Sequence, residues 1–213
     1  MNSTSVKAAL REHGEEAAVV IEEEVVQFVE KKVFHPVLLR GMSRAVRRRI
    51  LPSIKEMFIK EMFIKEKFLP DGAFDKLKAR LVAGGHRQDR ALYKDDETSA
   101  PTVAHSSVMS VCAIAACEGR LVAVCDIGGA FLNAEMPADG VKVLVRIDST
   151  LSAILTRLYP DQYAPFLTEK GELVVELDRA MYGCVESARL WYNTLCAKLA
   201  DMGFTQNVYD ACV

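Results

Sequence analysis

Apolar side chains recur every three or four residues in several parts of the chain, which predicts amphipathic helices. The first such part is 17–33, and Pro36 is expected to terminate its helix. The apolar positions of this stretch are Ala18, Ile21, Val25, Phe28 and Val29. Similar spacing predicts later helices at 151–158 and 186–202. Another helix is predicted at 106–117, where two serines offer an N-cap and Glu118-Gly119 closes the helix.

Short apolar runs and alternating patterns predict strands between these helices. Residues 121–126 (LVAVCD) form a Val-rich run that is typical of a buried strand, and apolar residues alternate along 141–147. A further strand is predicted at 172–177, and the pattern at 207–213 indicates the beginning of another.

A β-hairpin is predicted where two strand-like segments, 64–68 and 74–82, flank the turn signal LPDG. Successive side chains of a strand point to opposite faces. The second arm therefore places Lys76, Lys78 and Arg80 together on one face.

A five-residue motif, IKEMF or IKEKF, occurs three times in succession over 54–68. A period of five keeps no fixed face, because each copy rotates by about 140° on a helix and changes sides on a strand. We therefore predict that the third copy belongs to the hairpin, with Phe68 near Phe74. The first two copies are expected to form a helical or loose insertion, with Phe58 and Phe63 less buried than Phe68. Removing them is expected to leave the stability nearly unchanged.

Charge is unevenly distributed along the chain. The formal net charge is −2, but residues 40–94 carry 15 Lys and Arg against 6 Asp and Glu, which leaves a balance of −11 elsewhere. A basic segment in an acidic chain suggests contact with phosphate or nucleic acid, although a solvated basic face has the same composition. Half of the residues are hydrophobic, which argues against general disorder.

The six cysteines lie in apolar or helical segments without a CxxC pair, as expected for core residues of a reduced, intracellular protein. The N-terminus has no apolar run suited to a signal peptide, and no window reaches the ~18 consecutive apolar residues of a membrane span. We therefore expect a soluble protein that is not secreted and has no membrane partner. The four histidines show no metal-ligand spacing.

The stretch 121–135 (LVAVCDIGGAFLNAE) combines an acid, two glycines and an aromatic residue. Asp126 ends the apolar run, and an acid at the end of a core strand is costly unless it is paired or binds a cation. Gly128 and Gly129 allow the backbone to turn sharply or to approach a ligand closely. With Phe131 five residues after the acid, the stretch has what a magnesium–nucleotide site needs.

Four stretches carry a family resemblance: KLKARLVAGGHRQ, SAPTVAHSS, VCDIGGAFLNAEM and LDRAMYGCVESARLWYNTL. In order and spacing they resemble the reverse transcriptase of copia-type retrotransposons over roughly residues 60–213. The resemblance implies an α+β right-hand polymerase with fingers and a partial palm. Its antiparallel sheet would pack against helices and be incomplete at the C-terminus. The implied division is a helical lead-in segment at 1–50 and a partial reverse transcriptase domain at 51–213, with fingers at about 54–105 and palm at about 106–213.

The activity implied by the resemblance is RNA-directed DNA synthesis with two Mg²⁺ ions. One ion activates the primer 3′-hydroxyl, and the other holds the triphosphate and stabilises the leaving oxygen. Asp126 matches the first metal-binding aspartate, and the family implies that the carbonyl of Ile127 also binds metal. A strand-end cap or a salt-bridged acid is the alternative. Asp126 is expected to end a central strand beside the strand that begins near Glu172, facing Phe131 and Tyr182.

The resemblance also implies substrate-binding residues. Phe131 matches the aromatic residue under the sugar of the incoming nucleotide, where its ring would exclude a ribose 2′-hydroxyl; the alternative is an ordinary core phenylalanine. Tyr182 and Gly183 match the second nucleotide-pocket motif. Lys78 and Arg80 match the basic arm that would clamp the triphosphate, although each alone could be an exposed strand charge.

The chain departs from the family pattern in its acids. The second acidic motif, an aromatic residue followed by two aspartates, should come some tens of residues after NVYDACV. Asp148, Asp178 and Asp210 lack the adjacent aspartate and are not assigned as metal ligands. With one metal-binding carboxylate, the chain is not expected to extend a primer on its own. Ala188 also stands where many members have proline.

The implied partners are an RNA template, a DNA primer, deoxynucleoside triphosphates and the remaining regions of a Pol polyprotein. The implied location is the cytoplasm, in a retroelement particle, or the nucleus. Two other interpretations stay open: a non-catalytic nucleic-acid-binding module that keeps the basic fingers, and a relic without function.

Overall fold

The computed structural model describes residues 5–38 and 57–213. Within these ranges the helices are α1 (Val6–Glu30), α2 (His105–Cys117), α3 (Ser149–Leu158), α4 (Pro160–Tyr163) and α5 (Ser187–Asp201). The strands are β1 (Phe34–Pro36), β2 (Met57–Phe68), β3 (Phe74–Ala83), β4 (Leu144–Ile147) and β5 (Leu173–Leu177). Short 3₁₀ helices occur at Gly85–Arg87, Arg90–Leu92, Asp95–Glu97, Ala130–Asn133 and Ala164–Phe166. No helix in the described ranges is long and apolar enough to cross a membrane.

Helix α1 confirms the first predicted helix but differs from it at both ends. It begins at Val6 because the Ser5 side chain accepts a hydrogen bond from the amide of Ala8 (3.4 Å) and so caps the first turn. It ends at Glu30, well before Pro36, which lies in strand β1 instead. Proline is acceptable there because β1 is an edge strand of the sheet.

The strands form one sheet in the order β1-β5-β4-β2-β3. All neighbours are antiparallel except β2 and β4, which run parallel where Met57 pairs with Val145 and Phe58 with Arg146. The predicted strands at 141–147 and 172–177 are present as β4 and β5, and β4 is the shorter of the two. The α+β fold class is therefore confirmed.

The hydrophobic core lies between helix α1 and the sheet. Ile21, Val25 and Phe28 of α1 belong to one buried cluster with Ile64 of β2 and Leu77 of β3. Helices α3 and α4 add Leu151, Leu155 and Tyr163 to the same cluster. Since one face of β3 is used by this core, its other face is left for polar contacts.

The predicted hairpin is confirmed. Strands β2 and β3 pair across the turn, and Phe68 is opposite Phe74 with ring centroids 6.3 Å apart. Along β3 the core face and the polar face alternate as expected from the period of two, because Leu77, Ala79 and Leu81 are buried while the lysines and the arginine between them are exposed. The basic residues of β3 therefore share one solvent-facing surface.

The prediction that the first two copies of the repeat stay outside the fold is wrong. Strand β2 begins at Met57, and four of the five residues of the second copy, Ile59 and 61–63, pair with β3. The register shifts by one residue at Lys60, which has no partner on β3. Residues 54–56 and the side chains of Phe58 and Phe63 lie outside the described part of the chain. The expected burial of the two phenylalanines therefore stays a prediction.

The bulge at Lys60 explains how a five-residue repeat fits a two-residue period. An odd period exchanges the faces of a strand, and one extra unpaired residue exchanges them back. In the register, Ile59 is opposite Ala83 and Ile64 is opposite Ala79, and these two alanines lie on the same buried face of β3. The isoleucine that begins the second copy and the one that begins the third are therefore paired with the same face of β3.

Two strand predictions are wrong. Residues 121–126 are not a strand, and Leu121 and Val124 are 102% and 95% exposed. Within the described ranges, no hydrogen bond joins the backbone of these residues to another backbone group, so they have no ladder. The segment 207–213 forms turns, closed by a hydrogen bond from the amide of Asn207 to the carbonyl of Val213 (2.7 Å).

Candidate nucleotide-binding site

Asp126 and Ile127 lie where the extended segment enters a turn. Gly129 has φ of +61°, a left-handed conformation that favours glycine, and the 3₁₀ helix Ala130–Asn133 follows directly. Asp126 is exposed and Ile127 is 41% exposed. A ligand can therefore reach the carboxylate, although Asp126 does not end a strand as predicted and has no strand beside it.

The turn places Phe131 against Tyr182. The ring centroids are 5.1 Å apart and the rings are tilted by 45°. The guanidinium of Arg80, on strand β3, lies 5.6 Å from the centroid of the Tyr182 ring, which is within the range of a cation–π interaction. Both aromatic residues are half-buried. Three predicted site residues thus form one cluster.

Asp126 is one of the charges that act on Tyr182. Burial raises the pKa of the Tyr182 phenol, the Arg80 guanidinium lowers it, and the carboxylates of Glu24 and Asp126 raise it further. Asp126 is thus close enough to Tyr182 to act on its ionisation. Lys78 is exposed on the same face of β3 as Arg80, and both act electrostatically on Glu24.

Strand β3 is an edge strand, and its free edge is joined to the site. The amide of Ala83 donates to the carbonyl of Tyr182 (2.7 Å), and the amide of Leu81 donates to Oε1 of Glu24 (3.0 Å). Gly183, the last predicted substrate-binding residue, has φ of +91° and lies so close to β3 that a Cβ atom would be 2.2 Å from the carbonyl oxygen of Ala83. The turn that carries Tyr182 is therefore docked on the hairpin.

Helix α1 contributes residues that the sequence analysis did not assign to the site. Nζ of Lys31 donates to Oδ1 of Asn133 (2.7 Å), whose Nδ2 donates to the carbonyl of Gly129 (3.1 Å). Glu24 contacts β3 from the same helix. Burial raises the pKa of Glu24, while the Leu81 amide and the two β3 cations oppose that shift. The spacing of Glu24 and Lys31, seven residues apart, was the available signal, because it puts both on one helix face.

The residues present do not fit a resident two-ion metal centre. No group of three or more His, Cys, Asp or Glu residues in the described ranges could hold a metal ion. Mg²⁺ is often bound by one or two carboxylates together with substrate phosphates and water. Asp126 alone therefore fits an ion that arrives with a nucleotide, and it does not fit two ions held by the protein.

The other acids considered in the sequence analysis have structural partners. Asp148 caps helix α3 by accepting from the amides of Thr150 (2.7 Å) and Leu151 (3.0 Å). Both carboxylate oxygens of Asp178 are within 2.9 Å of Nδ1 of His35. Asp210 accepts from the amide of Ala104 (2.9 Å). None of these contacts brings an acid to Asp126.

Comparison with known proteins identifies the family of the chain. The family described as "Reverse transcriptase (RNA-dependent DNA polymerase)" matches residues 55–212, which include every predicted site residue. The chain is 28% identical over 141 residues to the "Retrovirus-related Pol polyprotein from transposon RE1" of Arabidopsis thaliana and 27% identical over 141 residues to that from transposon RE2. Each alignment covers 66% of this chain but only 8% of the relative. No solved structure matches the chain significantly. The predicted resemblance is confirmed, and the chain belongs to the reverse transcriptase family found in retrotransposon Pol polyproteins.

Proposed function

We propose that this chain provides the nucleotide-binding part of an RNA-directed DNA polymerase of the copia type. The observation that carries the proposal is the contact of Phe131, Tyr182 and Arg80, which come from three separate parts of the sequence. Asp126 precedes Phe131 by five residues, and its charge acts on Tyr182. An acid, a cation and two aromatic rings in contact are groups suited to a magnesium-bound triphosphate, its sugar and its base.

The proposal assigns the hairpin to fingers at about 54–105 and the rest of the domain to a palm at about 106–213, after a lead-in segment at 1–50. Its partners are an RNA template, a DNA primer, deoxynucleoside triphosphates and other regions of the Pol polyprotein. The polymerase would act inside the cell, in a cytoplasmic retroelement particle or in the nucleus.

Each site residue has a role in the proposal. Lys78 and Arg80, exposed on one face of β3, bind the triphosphate. Phe131 lies under the sugar and is held there by Tyr182. Tyr182 and Gly183 form the wall of the pocket that adjoins β3.

Asp126, with the carbonyl of Ile127, would hold the Mg²⁺ that accompanies the nucleotide. When bound, that ion neutralises charge on the phosphates. The two-ion chemistry of the family needs further carboxylates, which the described residues do not bring to Asp126. The proposal therefore gives this chain nucleotide binding, without primer extension on its own.

Asp126→Asn tests the metal role. We expect the variant to bind dTTP in the presence of Mg²⁺ at least about tenfold more weakly than the wild type, a loss of roughly 1.4 kcal/mol. In the presence of EDTA the variant should bind dTTP at least as tightly as the wild type, because the carboxylate then has no ion to hold and only repels the phosphates. Isothermal titration calorimetry measures both affinities, and Asp139→Asn, at another exposed acid, is the control. Equal affinity of Asp126→Asn and the wild type with Mg²⁺ would exclude Asp126 as a ligand.

Phe131→Val tests selection of the sugar. The ring would exclude a 2′-hydroxyl, so the wild type should prefer dUTP over UTP, which differ only in that hydroxyl, by roughly 10- to 100-fold, the range in which an apolar pocket rejects an added hydroxyl. The smaller valine should reduce this ratio to a few-fold, mainly by improving UTP binding. Phe204→Val changes an exposed ring and should keep the wild-type ratio. An unchanged ratio in the Phe131 variant would place the sugar elsewhere.

The single carboxylate favours one other function, that of a nucleic-acid-binding module without catalysis. This alternative predicts RNA binding that weakens with rising salt, together with no detectable binding of dTTP and Mg²⁺. Filter binding at low and at high salt, combined with the titrations above, separates the two functions.

A further inference from the structure

Three of the buried polar side chains in the described ranges lie together beside the Tyr182 turn. Gln88 is 9% exposed, Glu186 is 5% exposed and Ser187 is 1% exposed. Gln88 follows β3 and the 3₁₀ helix Gly85–Arg87, whereas Glu186 and Ser187 begin helix α5. Burying a carboxylate is costly unless hydrogen bonds from the protein replace those it makes with water, so the Glu186 carboxylate needs hydrogen-bond donors.

The hydrogen bonds of Gln88 join the two sides. Its Nε2 donates to Oε2 of Glu186 (2.9 Å) and also lies 2.8 Å from the hydroxyl oxygen of Tyr93. That hydroxyl donates to Oε1 of Glu186 (3.1 Å). Oε1 of Gln88 accepts from the amide of Val185 (2.7 Å). One amide side chain therefore bonds both the backbone of the turn and the acid that follows it.

Ser187 closes the same turn from within. Its hydroxyl accepts from the amide of Met181 (3.2 Å) and donates to the carbonyl of Met181 (2.6 Å). The turn 181–187, which carries Tyr182 and Gly183, is thus fixed at both ends. Burial and the Glu186 carboxylate together raise the pKa values of Tyr93 and Cys184, so both side chains are kept in their neutral, protonated forms.

We propose that Gln88 and Glu186 are positioning residues of the nucleotide site. They act through the turn 181–187, which they fasten to the segment after β3, and so keep the Tyr182 ring between Phe131 and Arg80. Their link with nucleotide binding rests on the proposed function above. Neither residue is a predicted contact of the substrate.

A charge exchange tests this pair directly. Gln88→Glu puts a second carboxylate beside Glu186, at the position of an amide that now donates to it at 2.9 Å, and removes that donor. The double variant Gln88→Glu with Glu186→Gln restores a complementary set. The carboxylate introduced at position 88 can accept from the Val185 amide, from the side-chain amide introduced at position 186 and from the Tyr93 hydroxyl. Gln162→Glu, at an exposed position, controls for the added charge.

Three measurements separate positioning from nucleotide binding. In Gln88→Glu we expect amide hydrogen exchange in 181–187 to accelerate at least tenfold and nuclear Overhauser contacts between the Phe131 and Tyr182 rings to weaken, while exchange in β4 and β5 stays unchanged. We also expect dTTP to bind at least tenfold more weakly. The double variant should recover the exchange rate and the dTTP affinity to within about threefold, together with the ring contacts.

The outcomes are distinct. Recovery of exchange and ring contacts in the double variant, without dTTP binding by the wild type, would retain the fastening and reject the proposed function. Failure of the double variant to recover the ring contacts, or failure of both variants to fold, would overturn the pairing of Gln88 with Glu186. Unchanged exchange in Gln88→Glu would overturn it as well.

Discussion

Replacing Gly183 with alanine is expected to detach the Tyr182 turn from β3 and to lower the stability of the whole protein. The new Cβ would lie 2.2 Å from the carbonyl oxygen of Ala83 and 2.7 Å from Cγ1 of Val82, distances that require the backbone to move. The left-handed φ of +91° adds about 1–2 kcal/mol for a residue with a Cβ. Overpacking commonly costs about 1–3 kcal/mol more. The total, about 2–5 kcal/mol, corresponds to a melting temperature roughly 4–20 °C lower.

Two other glycines separate the causes of this loss. Gly203 has φ of +90° with open space around it, so Gly203→Ala carries the conformational cost alone. Gly85 has no positive φ, but a Cβ would lie 1.8 Å from the carbonyl oxygen of Gly183, so Gly85→Ala carries the contact alone. If Gly183→Ala melts no lower than Gly203→Ala, the close approach of the turn to β3 is not important for stability. Thermal unfolding followed by circular dichroism measures all three.

Much of the site could be predicted from the sequence because its residues lie in motifs with local signals. The alternation along β3 predicts that Lys78 and Arg80 share a face, and the structure has them so. The resemblance implied that Phe131 and Tyr182 belong to one nucleotide site, whereas the contact between their rings comes from the structure. The seven-residue spacing of Glu24 and Lys31 indicates a shared side of the first helix, but it does not name their partners. Lys31 reaches Asn133 across 102 positions of sequence, and only the fold brings the two together.

Residues 121–126 show why an apolar run alone does not predict a strand. The run indicates a preference for burial, but a strand also needs a partner for each amide and carbonyl, and partners are not local. In the described ranges no backbone pairs with this segment. Helix α2 likewise leaves apolar side chains exposed. Its predicted length is right, but its exposed residues include Val108, Met109, Val111 and Ile114. The sequence pattern identifies these segments as apolar, but their burial depends on which other parts of the fold pack against them.

The repeat shows the opposite error. The period of five correctly indicates that an unbroken strand cannot keep one face, but a single bulge at Lys60 removes the conflict. Bulges depend on pairing and are not visible in the pattern of one strand. The structure therefore reverses the expected result of deleting the first two copies.

Deleting residues 54–63 is expected to destabilise the protein strongly. The deletion removes the pairing of Ile59, Glu61, Met62 and Phe63 with β3 and that of Met57 and Phe58 with β4. Strand β4 would then lose its neighbour on one side, although Val145 and Ile147 are fully buried there. With net values of about 0.5–1.5 kcal/mol for each backbone hydrogen bond, we expect a loss of at least about 3 kcal/mol. The melting temperature should fall by roughly 6–12 °C.

Deleting only 59–63 is the matched comparison, because the repeat conserves the local sequence. The first copy then takes the place of the second, so the residues that pair with β3 are unchanged in identity and the bulge can form again at the same position. Only the two residues that pair with β4 change, from Met57 and Phe58 to Pro52 and Ser53, and proline has no amide hydrogen to donate. We therefore expect an intermediate melting temperature. If the three proteins melt within about a degree of one another, a difference too small for the loss of a single backbone hydrogen bond, neither pairing contributes to stability and the first two copies are an insertion after all. If the single deletion alone matches the wild type, the β2–β3 pairing carries the effect and the contact with β4 does not.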